Sequence, residues 1–200
     1  MSAENFNDNP DINDIKNYAR FTPTENSAKA KEPLDHLENV TLNIAGESGV
    51  GNSTFVNALL GLRDEGEGAA ETGVTKTTMK AISYSHPTMP NVYIWDLPSI
   101  GTSNFKAPKY LKEVPFETYD SFIIISTNRF KENDIMLAKE IQKMKKRFYF
   151  VRSKIDNDIR AEARKKDFRE DKVLFKIRQS CEENLKIIGN PKVFLISTFI

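Results

Sequence analysis

Gly46-Glu47-Ser48-Gly49-Val50-Gly51-Asn52-Ser53 has the G-x-x-x-x-G-K-S/T layout of a phosphate loop, with Asn52 standing where the pattern carries a lysine. Such a loop wraps backbone N–H groups round the phosphates of a nucleotide, and its glycines supply left-handed torsions and close approach of the chain. The flanks fit. Upstream, Val40, Leu42 and Ile44 alternate as a strand does; downstream, Ser53 to Leu60 reads as a helix with Phe55, Leu59 and Leu60 on one face before Gly61 stops it. A strand, a glycine loop and a helix in that order predict the nucleotide-binding unit of an α/β sheet. Gly46 through Ser53, together with Thr54, are the candidate phosphate-binding residues.

Length and charge narrow the class. Two hundred residues, 39% of them hydrophobic, suffice for one domain with a sizeable core but not for two. The 29 basic and 28 acidic side chains nearly cancel, which argues against nucleic acid as the main ligand and leaves room for a small anion in a local pocket. Cys181 is alone, so an internal disulfide framework is ruled out, and two histidines cannot build a zinc cluster. A reducing compartment is implied. No apolar run approaches the ~18 residues that span a bilayer. Met1-Ser2-Ala3-Glu4 lacks the regions of a signal peptide, and Ser2 occupies the place where N-myristoylation needs glycine. We therefore expect a cytoplasmic protein.

Residues 1–37 are rich in Asn, Asp, Lys and Glu, with a short helical pattern at Ile12, Ile15 and Tyr18; they read as a leader, partly helical or disordered. From residue 38 strands alternate with helices, the pattern of a sheet covered on both faces. Leu62 to Lys76, with Gly66, Gly68 and Gly73, predicts a mobile surface segment. Lys80 to Ser85 and Asn91 to Trp95 read as strands joined by the turn His86-Pro87-Thr88-Met89-Pro90. Ser121 to Ser126 is a continuous apolar run, the mark of a central strand buried on both faces, and Phe148 to Arg152 repeats it. Asp134 to Lys146 carries Leu137, Ala138, Ile141 and Met144 at helical spacing. It ends in Lys143, Lys145, Lys146 and Arg147, cations that complement a helix dipole; the alternative for this cluster is a peripheral membrane contact. The run Arg160 to Lys176 carries both signs and reads as a solvated face. A last helix, about Asp171 to Ile188, precedes a strand at Lys192 to Ile196. Only Ser197-Thr198-Phe199-Ile200 follow, so the sheet is expected to lack the final helix that would cover its last strand, unless that face is covered another way.

Four further segments fall, in order, where a guanine-nucleotide site needs them. Ser153-Lys154-Ile155-Asp156 follows a predicted strand and fits N/T-K-x-D with serine first. The Asp156 carboxylate can accept hydrogen bonds from the ring N–H and the 2-amino group of guanine, whereas adenine presents an acceptor and no amino group there. Lys154 would lay its stem over the base and span toward the phosphate loop. Asp96-Leu97-Pro98-Ser99 ends its strand in the manner of D-x-x-G, whose aspartate reaches the water shell of Mg2+ and whose glycine N–H touches the γ-phosphate. Ser99 keeps the N–H without glycine's torsional freedom. Thr72, Thr75, Thr77 and Thr78 are candidates for the threonine that closes over the metal. We assign Thr72 and Thr78 to the nucleotide site, and Ser53, Thr78 and Asp96, the last through water, to Mg2+. Ser197 and Thr198 would offer backbone N–H groups to the guanine carbonyl.

With these segments in place the chain resembles the immunity-related GTPases. The resemblance rests on Glu47-Ser48-Gly49, Ala70-Glu71-Thr72-Gly73-Val74 with Thr78-Met79, Pro90-Asn91-Val92, Trp95-Asp96-Leu97-Pro98, Ile100-Gly101 with Asn104-Phe105, and Phe148-Tyr149-Phe150-Val151-Arg152; it covers about residues 38 to 200. It implies a Ras-like G domain of the phosphate-loop NTPase class: an α/β, three-layer fold with a mixed, mostly parallel sheet. Here that domain would lack its final helix and the family's C-terminal helical domain. The resemblance also implies an interferon-inducible vertebrate protein of cell-autonomous innate defence. Such a protein binds GTP and GDP with Mg2+, associates with intracellular membranes, and oligomerises through its G domain with itself or its relatives.

The phosphate side departs from the family pattern while the base side keeps it. In the resembling family the Asn52 position is lysine in an effector branch and methionine in a regulatory branch. Lys76 stands where the Thr-Gly-Val-x-Glu switch carries a glutamate implicated in hydrolysis, and Ser99 replaces the D-x-x-G glycine. An amide in place of an ammonium forfeits roughly 1.5 to 3 kcal/mol of charge-assisted binding. The leading expectation is a guanine-nucleotide-binding protein with reduced or lost hydrolysis that occupies or regulates partner G domains. The alternatives are an active GTPase relying on Mg2+ and backbone amides, and a nucleotide-free interaction module or truncated remnant.

Overall fold

The apolar runs become strands and the 3.6-residue repeats become helices in the computed structural model, which describes residues 39–73, 78, 80–101, 110, 112–127 and 131–197. The predicted leader lies outside the described residues. Among them the named elements run β1 (Val40–Gly46), α1 (Asn52–Leu60), β2 (Ile82–Ser85), β3 (Val92–Asp96), β4 (Ser121–Ser126), α2 (Glu132–Lys143), β5 (Arg147–Arg152), α3 (Ile155–Glu162), α4 (Glu170–Leu185) and β6 (Val193–Leu195). Short 3₁₀ turns at Phe116–Thr118 and Lys186–Ile188 complete the set.

The strands form one sheet in the order β2-β3-β1-β4-β5-β6. All neighbours are parallel except β2, which runs antiparallel to β3 at one edge. Chain order therefore reverses on either side of β1, with Ile44 opposite Asp96 of β3 and Gly46 opposite Ile125 of β4. That reversal opens a crevice beyond the carboxyl end of β1, where ligands of open α/β sheets lie.

Burial gives three layers. In β4, Phe122 and Ile124 face a core shared with Leu137, Ala138 and Ile141 of α2 and Leu185 of α4; Ile123 and Ile125 face a second core with Val56 and Leu60 of α1. The apolar run Ser121 to Ser126 is thus a strand buried on both faces, as its composition predicts. Tyr119, Phe116 and Phe122 pack ring on ring in the first core, with centroids 5.5 to 6.0 Å apart.

Four local readings change. Helix α1 begins at Asn52, so its inward stripe is Asn52, Val56 and Leu60 with Asn57 beside it, and Phe55 and Leu59 are only partly buried. Helix α3 was not anticipated: Ile155 and Ile159 are its sole large apolar residues, too weak a period to read among its charges. The last helix stops at Leu185, and its final turn tightens into the 3₁₀ turn before Gly189 reverses the chain at φ 86°. The segment after α1, expected to be open surface, buries Ala70 completely. Asn57 holds it there, accepting from the Ala70 N–H at 2.6 Å and donating to the Ala70 carbonyl at 3.0 Å and to Asp64 at 2.9 Å.

Among the described residues no helix is long and apolar enough to cross a membrane.

Candidate functional site

The end of β1 and the start of α1 build the phosphate-side cradle. A Cβ on Gly46 would sit 2.6 Å from the Ile125 carbonyl and 2.8 Å from Val50 Cγ2 and Asn52 Oδ1, so only glycine lets the loop close against β4. Gly49 and Gly51 adopt φ 81° and 98°, the left-handed torsions that curl the chain between strand and helix. No side chain caps α1, and its first turn holds no acid, so its leading N–H groups suit an anion. Ser48 and Gly49 are exposed at the rim, Thr54 is half-buried, and Val50 is buried beneath them.

Asn52 does not face outward as a phosphate-binding cation would. It is 6% exposed, and its amide folds back with Nδ2 at 3.5 Å from the Gly46 carbonyl and Oδ1 buried without a hydrogen-bond partner among the described residues. Glu47 also turns aside. Its carboxylate pairs with the Lys131 ammonium and accepts from Asn133 Nδ2 at 2.8 Å, tying the loop to the head of α2.

Beside the cradle three oxygen side chains converge. Ser53 Oγ donates to Asp96 Oδ2 at 2.7 Å and Thr78 Oγ1 donates to the same oxygen at 3.0 Å. Asp96 is 2% exposed, and its Oδ1 is buried without a partner among the described residues. Burial pushes this carboxyl above the usual carboxylate range, against the two hydroxyl donors that pull it down. A buried carboxylate with an uncommitted oxygen beside two hydroxyls is the donor set a hard dication takes, directly or through water. These residues therefore fit Mg2+, whose charge would offset the desolvation of Asp96. Thr72 is half-buried and does not join them; Thr75, Lys76 and Thr77 lie outside the described residues. The strand continues past Asp96: Leu97 N–H donates to the Ile44 carbonyl at 3.0 Å and Ile100 N–H to the Gly46 carbonyl at 3.0 Å, while Ser99 N–H points to the Thr78 carbonyl at 3.4 Å.

The residues predicted to read the base meet the glycine loop from the end of β5. Ser153, 1% exposed, donates its hydroxyl to the Val50 carbonyl at 2.8 Å, and Lys154 Nζ donates to the Gly49 carbonyl at 2.8 Å. Lys154 takes φ 57°, the kink that starts α3 immediately behind it. Asp156 sits in the first turn of α3. Its Oδ1 accepts from the Ser197 hydroxyl at 3.1 Å, and its Oδ2 is buried with no hydrogen bond among the described residues, the nearest cation being Arg160 at 4.0 Å. A buried acceptor of this kind fits a donor pair such as the N–H and amino groups of guanine. Thr198 lies outside the described residues. Sequence reasoning missed the Ser197 hydroxyl, which it cast as a source of backbone N–H, and the Glu47 and Ser153 contacts, because each joins segments far apart in the chain.

Fold and site together define a phosphate-loop G domain. The whole of residues 12–200 matches the family model described as Interferon-inducible GTPase (IIGP), and the chain belongs to that family. It is 48% identical to mouse Interferon-gamma-inducible GTPase 10 over 83% of this chain and 41% of that protein. It is 50% identical to mouse T-cell-specific guanine nucleotide triphosphate-binding protein 2 over 82% of this chain and 41% of that one. The chain thus spans about two fifths of the length of these curated relatives. Among solved structures, the crystal structure of Toc33 from Arabidopsis thaliana in complex with GDP and Mg2+ superposes with a TM-score of 0.56, covering 82% of this chain and 72% of that one at 15% identity, a likeness of fold.

Proposed function

We propose that this chain is a guanine-nucleotide-binding domain of cell-autonomous innate defence in which GTP hydrolysis is reduced or lost, and which acts by occupying or regulating partner G domains. Gly46 to Thr54 cradle the phosphates, Ser53, Thr78 and Asp96 hold Mg2+, and Ser153, Lys154, Asp156 and Ser197 with Thr198 read the base. The observation that carries the reading is Asn52: its amide is turned back onto the Gly46 carbonyl, so the cradle lacks the ammonium that would neutralise β- and γ-phosphate charge. Binding survives on backbone N–H groups and the dication, whereas transition-state stabilisation, which depends on charge aimed at the transferring group, falls most. Ser99 adds to this, since its N–H is directed to Thr78 in the place where the D-x-x-G glycine reaches the γ-phosphate.

The test is turnover of GTP by the purified chain with Mg2+. We expect tight binding and release of GDP far below that of a small GTPase; comparable turnover overturns the proposal. A second reading, an active GTPase, is favoured by one observation, the intact Ser53, Thr78 and Asp96 set. Restoring lysine with Asn52→Lys separates the two: a large gain in rate supports reduced hydrolysis in the parent, and no gain supports the active reading. Assembly with other G domains of the family belongs to the same proposal; for Lys143, Lys145, Lys146 and Arg147 a peripheral membrane contact is the alternative to a solvated face.

A further inference from the structure

Arg152 is the last residue of β5 and stands immediately before the base-reading segment. Its side chain is 8% exposed, its Nη2 donates to Asp158 Oδ2 at 2.5 Å, and its Nη1 is buried without a hydrogen-bond partner among the described residues. Desolvating a guanidinium for one partner that is itself 38% exposed contributes little net stability. The pair's value lies in geometry.

Successive helix residues turn by about 100°, so Asp156 and Asp158 project roughly 200° apart, to opposite sides of α3. Asp158 looks inward to Arg152, and Asp156 looks to Ser197 and the base side. The eight-residue α3 seats Ile155 and Ile159 in the core and packs along α4. Its start is pinned by the Ile155 N–H on the Ile196 carbonyl at 3.3 Å. Its rotation about its own axis is set by the packing of Ile159 and α4, by the Ser197 hydroxyl on Asp156 and by the Arg152–Asp158 ion pair, of which only the last is charged on both sides.

We propose that Arg152 is a positioning residue for base selection: by holding Asp158 it fixes the rotation of α3 and so aims the Asp156 carboxylate at the ring N–H and 2-amino group of guanine. Arg152 touches no ligand itself. The inference rests on the guanine-nucleotide reading above and adds to it the source of its selectivity.

The experiment measures binding of GDP and of inosine diphosphate, which lacks the 2-amino group, to the full chain by calorimetry. Arg152→Lys keeps the charge and loses the planar fork; Asp158→Glu keeps the charge and shifts it by one methylene from the half-exposed end, where folding is least at risk. We expect the parent to prefer GDP by about tenfold and both variants to fall to within about threefold, the cost of one misdirected charge-assisted hydrogen bond. Equal weakening of both nucleotides would reduce Arg152 to a merely structural role and overturn the inference. So would an unchanged preference in Asp158→Glu with native circular dichroism, even were Arg152→Lys to misfold. A parent that binds neither nucleotide removes the guanine reading and this inference with it; a parent that prefers GDP while the variants do too removes this inference alone.

Discussion

A carboxamide at the head of α1 and an ammonium in the same place make opposite demands on the glycine loop. Asn52 is neutral and 6% exposed, so it can lie against the Gly46 carbonyl without desolvating a charge. Asn52→Lys should therefore lower the melting temperature of the nucleotide-free chain and raise GDP affinity by about tenfold or more, the worth of a charge-assisted contact to phosphate. Calorimetric binding and thermal melts of the two proteins check both signs, and tighter binding with no loss of apo stability would contradict the argument. Asp134 makes a second residue-scale case. It is 1% exposed at the N-terminal turn of α2, where burial pushes its carboxyl up to about 6 against the Lys131 N–H, the Ser126 hydroxyl and the Lys131 ammonium, with Glu47 adding to the rise. The folded pKa lies above the unfolded value, so the native state holds a proton that the unfolded chain has released near pH 5. Its contribution is fully present below about pH 4 and is lost as pH rises through about 6. Relative to Asp134→Asn, the parent should lose on the order of 2 to 3 kcal/mol between pH 4 and pH 7. Urea midpoints across that range measure it, and a flat difference would refute it.

At the scale of elements, the site depends on short segments held by single polar residues. Asn57 is one, a side chain 1% exposed that completes the backbone hydrogen bonds of Ala70 and so fastens the chain leading to Thr72 and Thr78 onto α1. Asn57→Ala leaves a buried N–H and a buried carbonyl unpaired and should cost about 3 kcal/mol, with faster proteolysis between residues 62 and 73. Urea denaturation and limited digestion read the two effects, and digestion unchanged from the parent would exclude the tether. A polar residue inside a helical repeat reads as surface, which is why this anchor could not be found from periodicity. The same limit hid α3. Its two isoleucines are outnumbered by charges whose partners, Arg152 and Ser197, belong to other strands and loops, so its formation is a tertiary event. By contrast α2 and β4 were legible because their burial pattern is complete within the element.

For the whole molecule, the reversal of strand order at β1 gathers four segments onto one edge of the sheet: the phosphate loop, the Asp96 end of β3, the Ser153 end of β5 and the Ser197 end of β6. A ligand bridging them binds only the folded state. GDP at a hundred times its dissociation constant should add about 2.7 kcal/mol, which for a domain of this size raises the melting temperature by about 5 to 10 °C. No shift at saturating nucleotide would favour the interaction module instead. The amino-acid order alone determined the class of fold, the succession of loops, the aspartate suited to guanine and the missing lysine, since these are carried by local spacing and by apolar periodicity. Only the folded molecule decided that Thr78, not Thr72, stands beside Asp96, that Asn52 turns inward, that the Ser197 hydroxyl rests on Asp156, and that the buried Arg152 pairs with Asp158 of α3. Those contacts join residues 18 to 43 positions apart or seat a side chain in a packed interior. Strand register and burial bring them together, and neither is written in the local pattern of the chain.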